Sequence, residues 1–159
     1  MNKKNDDLIS VIIPCFNSGE TIERAVNSIH MQTWINREII IVNDGSNDEK
    51  TISTLNNIRN VRIFNQKNEG LSSARNKGAE NSLGTFLLFL DADDWLEPNA
   101  LELMYYKLIN SRTNSYVYSD MKLEGESNNL IKKDYNFFEQ LFLNQIPYCI
   151  LIDKNIWVS

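Results

Sequence analysis

The sequence predicts an α/β fold in which a mostly parallel central sheet carries helices on both faces. Short apolar runs alternate with segments of helical periodicity, the pattern of parallel strands joined by crossover helices. The runs at residues 8–13 and 85–90 are almost entirely apolar, as is typical of strands buried on both faces. The second of these is the most apolar of the chain, so we expect it at the centre of the sheet.

The remaining elements are predicted in order along the chain. Strands are expected at residues 8–13, 38–42, 61–65 and 85–90, and helices at 18–32, 47–58, 71–82 and 98–109. Pro14 should end the first strand, because it cannot donate to a sheet ladder. Ser18 and Pro98 suit helix starts, and Gly84 suits a helix end. After residue 110 the pattern weakens, with strands expected at 116–118 and 148–152 and a helix at 137–143.

The third helix has a face of small residues, which predicts close packing on the sheet. These residues are Ala74, Gly78 and Ala79. Without bulky side chains on that face, the helix axis can approach the strands.

The composition is that of about one soluble globular domain and argues against several functions. The 159 residues are 42% hydrophobic and 23% charged, with a net charge of −5. Nucleic-acid binding needs clustered Lys and Arg, so an acidic chain disfavours it. Cys15 and Cys149 are expected to be reduced thiols of a cytoplasmic protein. We find no signal peptide and no run of the roughly 18 apolar residues that a membrane span needs.

Three polar clusters follow predicted strands, at residues 14–17, 43–46 and 91–94. Ligands of open α/β sheets bind beyond the carboxyl ends of the strands. Each cluster alone is also typical of an ordinary turn, and Asp44-Gly45 could be no more than that. Together the three clusters predict one crevice at this edge of the sheet.

The cluster Asp91-Ala92-Asp93-Asp94 predicts a divalent cation. Its three carboxylates repel one another, which raises their pKa values unless a cation is present. Mg²⁺ or Mn²⁺ prefers such oxygen ligands and can also hold a diphosphate. The alternative for Asp94 is that it only caps the helix that begins near Pro98.

Arg75 lies near the start of a helix, in what we take as its first turn, where a cation opposes the helix dipole. This misfit predicts an acidic partner or a ligand, with a solvated surface position as the alternative. With one histidine, His30, and two distant cysteines, the sequence offers no Ser-His-Asp triad and no zinc site.

Four ordered segments resemble the successive blocks of family 2 glycosyltransferases. They are SVIIPCFN at 10–17, EIIIVNDGS at 38–46, NEGLSSARN at 68–76 and FLDADDW at 89–95. The resemblance covers about residues 8–105. It implies a Rossmann-like GT-A fold, a nucleotide-diphosphate sugar donor, a divalent metal and inversion at the anomeric carbon.

The resemblance also implies roles for single residues. Asp44 would hydrogen-bond the nucleobase, usually uracil, and Arg75 would lie against the base or diphosphate. Asp91 would approach the ribose and the metal shell, and Asp93 would bind the metal directly. The implied nucleotide-binding set is Pro14, Phe16, Asn17, Asp44, Arg75, Asp91 and Ala92. Asn43 departs from the family, which more often has a second aspartate there.

The resemblance divides the chain into a nucleotide-sugar and metal-binding part, residues 1–110, and the incomplete beginning of an acceptor-binding part, residues 111–159. The family's acidic general base is expected beyond Ser159. No base is assigned to Glu126, Asp134, Glu139 or Asp153. We therefore expect this fragment to bind the donor without transferring sugar to a saccharide or lipid-linked acceptor. The full-length protein could associate peripherally with the inner face of the membrane.

Other functions stay open on the residues alone. The strongest alternative is a non-catalytic nucleotide-binding module. A sugar nucleotidyltransferase would need a Gly-rich loop with Arg or Lys after the first strand, and residues 14–19 lack one. An aspartyl-phosphate phosphatase would need a small hydroxyl residue where Trp95 stands. A NAD-binding module would need a Gly-x-Gly-x-x-Gly motif, which is missing.

Overall fold

The computed structural model describes residues 7–111, 116–123, 129–131 and 149–157. Its strands are β1 Ile9–Cys15, β2 Arg37–Asp44, β3 Arg62–Gln66, β4 Phe86–Phe89, β5 Tyr116–Tyr118, β6 Met121–Lys122, β7 Leu130–Ile131 and β8 Ile150–Asp153. Its helices are α1 Ile22–His30, α2 Glu49–Asn57, α3 Leu71–Glu80, α4 Ala100–Ile109 and α5 Lys154–Trp157. The helix expected at 137–143 falls outside the described residues.

A six-stranded sheet forms the centre of the protein, with strand order β3-β2-β1-β4-β8-β5. The first four strands in this order are parallel to one another, as predicted. Strand β4 lies in the middle, which confirms its expected position. Strand β8 is antiparallel to both of its neighbours, β4 and β5. The sheet is therefore mostly parallel, with one reversed strand that connects its two parts.

Hydrophobic side chains cover both faces of this sheet. Successive side chains of β2 point to opposite faces, so Ile39 and Ile41 belong to one core cluster and Ile40 and Val42 to the other. The first cluster includes the apolar faces of α1, α2 and α4, and the second includes the small face of α3. Helices thus lie on both faces, as the sequence predicted.

Pro14 does not end β1, contrary to the sequence-based expectation, since it pairs in register with Val42 of β2. Backbone groups of alternate residues in a strand point to the same neighbour. Because the Ile12 carbonyl accepts a hydrogen bond from Leu90, the nitrogen of Pro14 faces the β4 side of the strand. Pairing with β4 stops at Phe89, so the missing N–H of Pro14 costs no ladder bond.

Several helix boundaries also differ from the expectation; α4, for example, begins at Ala100 and not at Pro98. Gly84 does not end α3, which stops at Glu80. A Cβ on Gly84 would lie 2.5 Å from Ser10 Oγ and 2.6 Å from Leu8 O, so this glycine permits close approach to β1. Ser18 precedes α1 by a separate turn, in which its carbonyl accepts from the amide of Ile22.

Both cysteines are free, in agreement with the prediction. Burial raises the pKa of Cys149 to about 12, which keeps this thiol protonated near neutral pH. Among the described helices, none is long and apolar enough to cross a membrane.

Candidate functional site

The ends of β1 and β4 form a crevice of about 370 Å³ at the carboxyl edge of the sheet. Its lining residues are Pro14, Asn17, Ser18, Glu20, Thr21, Leu71, Asp91, Ala92 and Asp93. Five of them were predicted as site residues from the sequence: Pro14, Asn17, Asp91, Ala92 and Asp93. Parallel strands end at the same edge of a sheet, which is why residues far apart in the chain meet here.

Asp91 forms an ion pair with Arg75, whose Nη2 lies 2.7 Å from Asp91 Oδ1. The acidic partner predicted for Arg75 is therefore present. Arg75 is the fifth residue of α3, which places it in the second turn and not in the first. The dipole effect fades within the first turn, so it is the contact with Asp91 that explains this cation.

The acidic loop, residues 91–94, retains an excess of negative charge after this pairing. Burial raises the pKa of Asp94, and the charges of Asp93 and Asp91 raise it further. The repulsion expected from the sequence thus acts on Asp94 in the fold. Asp94 does not cap α4, because Asn99 occupies the N-cap position of that helix.

The donor atoms of the acidic loop fit a hard divalent cation, provided that a substrate completes the coordination shell. Within the described part of the chain, no group of three or more His, Cys, Asp or Glu side chains could hold a metal by itself. Mg²⁺ sites commonly use only one or two carboxylates together with substrate phosphates. Asp93 is exposed and Asp91 lies beside it, so these two carboxylates could serve in such a site.

Asp44 lies outside the crevice and holds the loop between β3 and α3. Its side chain is 4% exposed. Oδ1 accepts hydrogen bonds from Gln66 Nε2 and the Glu69 amide, both at 2.8 Å, and Oδ2 accepts from the Gly70 amide at 2.9 Å. These contacts organise the start of α3, the helix that carries Arg75. A role of Asp44 toward a nucleobase stays a prediction.

We expect Asp44 to stabilise the fold at neutral pH and to lose this effect in acid. Burial alone raises the pKa of Asp44, but the hydrogen bonds from Glu69, Gln66 and Gly70 hold it below its ordinary value of 3.8. A lowered pKa in the folded state means that the stabilisation is complete above the unfolded-state pKa and disappears as the pH falls through the folded-state pKa.

Asp44→Asn should lower the free energy of unfolding by about 1–3 kcal/mol at pH 7, because a buried amide donor is left facing the loop amides. The difference from wild type should shrink below about pH 4. Urea denaturation at a series of pH values measures both effects. Asp120→Asn, at an exposed position, controls for the loss of one charge. An equal loss of stability in both variants would contradict the assignment.

Asn17 ties the loop after β1 to the loop after β2. Its backbone is in the left-handed region, with φ of 51°, which asparagine tolerates better than most residues. Its Oδ1 accepts from the Asn47 amide and its Nδ2 donates to Asn47 Oδ1, both at 3.0 Å. Phe16, directly before it, is 45% exposed. Asn17 therefore shapes the crevice through the backbone as well as lining it.

The departure at Asn43 has a structural consequence that the sequence did not indicate. Asn43 Oδ1 accepts from the Ser46 amide, and its Nδ2 donates to Asn65 Oδ1 at 3.0 Å. An aspartate at this position could accept the first bond but could not donate the second. Asn43 thus joins the ends of β2 and β3.

The family model for glycosyl transferase family 2 matches residues 10–156. Glycosyltransferase GlyA of Streptococcus pneumoniae is 37% identical over an alignment of 128 residues that covers 76% of this chain. The structure of S. aureus TarS 1–349 superposes with a TM-score of 0.68 over 94% of this chain at 20% identity. Its complex with UDP superposes with a TM-score of 0.62 over 79% at 25% identity.

The chain spans only part of these proteins, namely 18% of GlyA and 48% and 38% of the two TarS chains. The superposition, which includes 94% of this chain, confirms the GT-A fold. Nearly all of the described sheet, the crevice and the acidic loop fall within the range that the family model matches. The chain belongs to glycosyl transferase family 2.

Proposed function

We propose that this chain forms the donor-binding side of an inverting glycosyltransferase that uses a UDP-sugar and a divalent metal. The observation that carries the proposal is the acidic loop, which lines a crevice between the ends of β1 and β4. TarS, which resembles this chain at 25% identity, has been crystallised with UDP. That complex supports uridine diphosphate as the ligand class.

Asp91, Asp93 and Arg75 would have different roles at the diphosphate. Asp93, as the exposed carboxylate, would bind Mn²⁺ or Mg²⁺ directly. Asp91 would supply a second carboxylate to the same metal. A bound metal would supply positive charge that stabilises the departing diphosphate. Arg75 holds Asp91 in place at 2.7 Å and would add positive charge near the same phosphates.

The nucleoside would lie against residues of the β1 end. Pro14 and Asn17 line the crevice, and the exposed ring of Phe16 offers a face for base stacking. Ala92 lines the same crevice and belongs to this set. Asp44 is proposed for the nucleobase in addition to its hydrogen bonds to the β3–α3 loop. The donor would come from the cytoplasm, and the protein would work there or at the inner face of the membrane.

Transfer would proceed by direct displacement with inversion. A hydroxyl of a saccharide or lipid-linked acceptor, deprotonated by a carboxylate, would attack the anomeric carbon of the donor sugar. Asp44 is committed to the β3–α3 loop, and Asp91 and Asp93 are assigned to the diphosphate side. We therefore propose none of these three carboxylates as the general base.

The proposal predicts that UDP binds in the presence of Mn²⁺ and at least about tenfold more weakly in EDTA, a difference of about 1.4 kcal/mol. A diphosphate meets the excess negative charge of the acidic loop unless a cation intervenes. Calorimetric titration in the two buffers measures the difference. Uridine, which has no phosphates, serves as the control and should show no metal dependence.

Two results would contradict the proposal in different ways. Equal UDP affinity in Mn²⁺ and in EDTA would remove the metal from the site. No UDP binding in either buffer, with the protein folded, would remove the donor assignment.

A further inference from the structure

Three polar side chains on one side of α1 point at the segment that follows the acidic loop. They are Arg24, Ser28 and Gln32, and we call them the α1 ladder. Residues four apart lie on the same face of a helix, and Gln32 continues the series just beyond the last helical residue, His30.

The α1 ladder contacts three successive residues directly after Asp94. The Arg24 guanidinium lies 3.1 Å from the centroid of the Trp95 ring. Ser28 Oγ accepts a hydrogen bond from the Leu96 amide at 3.1 Å. Gln32 Nε2 donates to the Glu97 carbonyl at 2.7 Å. Each step along the helix therefore holds the next residue of the segment.

Gln32 also fixes the far end of this segment. Its side chain is buried, at 5% exposure, and its Oε1 accepts from the Leu101 amide at 3.0 Å. Leu101 lies in the first turn of α4, where the N-cap residue Asn99 makes no side-chain cap bond. Gln32, which follows α1, thus supplies the missing cap, and residues 95–101 are held at both ends.

The contacts of the α1 ladder bear on the acidic loop because they hold Trp95, the residue that directly follows it. Within the loop, Asp91 pairs with Arg75 and the Asp94 amide donates to the Asp91 carbonyl. Upstream the Leu90 amide donates to the Ile12 carbonyl, and downstream Trp95 is the first residue that contacts the α1 ladder. Arg24 is exposed and Trp95 partly so, and a cation–π contact at such a site adds little to global stability. We expect the contact between Arg24 and Trp95 to affect the acidic loop because Trp95 is the residue directly after Asp94.

We propose that Arg24 is a positioning residue, which holds Trp95 so that the acidic loop presents Asp91 and Asp93 to a metal and a diphosphate. Metal ligands depend on surrounding contacts that orient them, and loss of such a contact commonly weakens binding 10–100-fold. The effect on ligand affinity depends on the function proposed above, whereas the effect on the order of the loop does not.

The first measurement is hydrogen exchange in the metal-free protein. We expect the amides of residues 91–97 to exchange about tenfold faster in Arg24→Gln and Trp95→Leu than in wild type, a local opening with little effect on the global transition. Trp95→Phe keeps an aromatic face and should stay close to wild type. Arg59→Gln is the matched control, because Arg59 donates to the carbonyls of Asn56 and Ile58 at the C-terminal end of α2.

The second measurement is UDP affinity. The Kd in Mn²⁺ should rise about tenfold in Arg24→Gln and in Trp95→Leu, at the low end of the range for residues that orient metal ligands. Any weak affinity in EDTA should not change. The double variant should bind no more weakly than either single variant, because both act through one contact.

Each outcome decides the proposal. Unchanged exchange in Arg24→Gln overturns it, and so does faster exchange with a wild-type Kd for UDP. If the wild-type protein binds no UDP in Mn²⁺, the function proposed above fails. In that case the exchange rates alone decide whether the α1 ladder holds the acidic loop.

Discussion

Asp93→Ala should abolish Mn²⁺-dependent UDP binding while leaving the metal-free protein at least as stable as wild type. Asp93 is exposed at the crevice, and its charge raises the pKa of Asp94. Its removal relieves repulsion in the absence of metal, so the melting temperature in EDTA should not fall. A lost metal ligand costs several kcal/mol of charge stabilisation, which is about 100-fold or more in affinity.

Glu20→Ala is the matched control for this variant. Glu20 also places a carboxylate at the crevice but lies outside the acidic loop, so its loss should preserve the difference between Mn²⁺ and EDTA. Calorimetry supplies the affinities, and thermal melts in EDTA supply the stability. A melting temperature several degrees below wild type would make Asp93 a structural residue. Retained metal dependence would exclude it as a ligand.

Gly78→Val should destabilise the fold by about 1–3 kcal/mol, the usual cost of overpacking a core. A Cβ on Gly78 would lie 2.4 Å from Ile12 Cγ2, so either α3 or the Ile12 side chain must move. Valine forms helices slightly better than glycine, by a few tenths of a kcal/mol, which is too little to offset the clash. Gly78→Ala should cost less, because alanine gains about 1 kcal/mol in helix propensity.

Asn76→Val, on the exposed side of the same helix, controls for a β-branched residue in α3. It should change the free energy of unfolding by no more than about 0.5 kcal/mol. Chemical denaturation of the three variants gives the ranking. Equal stability of Gly78→Val and Asn76→Val would show that α3 does not pack tightly on β1.

The predictable part of the fold followed from local chemistry. A strand covered on both faces must be apolar at nearly every position, so β1 and β4 could be recognised from their composition alone. Ala74, Gly78 and Ala79 predicted the close approach of α3 because they have little side-chain volume. The acidic loop was predicted as a metal site because neighbouring carboxylates at the end of a buried strand repel one another. This repulsion does not depend on the position of the strand in the sheet.

Local signals failed where a boundary depended on a neighbour. A proline ends a strand where the sheet needs a backbone N–H at its position. At Pro14 no such N–H is needed, because pairing with β4 has already stopped, and only the structure shows where β4 ends. Gly84 has the chemistry of a helix end, but its position against Ser10 explains it better. In both cases the residue behaves as its chemistry predicts: Pro14 makes no N–H bond and Gly84 permits a close backbone approach. A contact distant in sequence decided whether this property ended the element.

The sequence by itself determined the α/β order of elements, the small face of α3 and the charge of the acidic loop, since each depends on side chains that are neighbours in the chain. Only the tertiary structure decided that β8 runs antiparallel between β4 and β5, that Arg75 pairs with Asp91, that Asp44 holds the β3–α3 loop and that the α1 ladder contacts residues 95–97. These contacts join residues 16 to 71 positions apart, and their geometry depends on strand order and helix packing, which a single sequence does not encode in any local pattern.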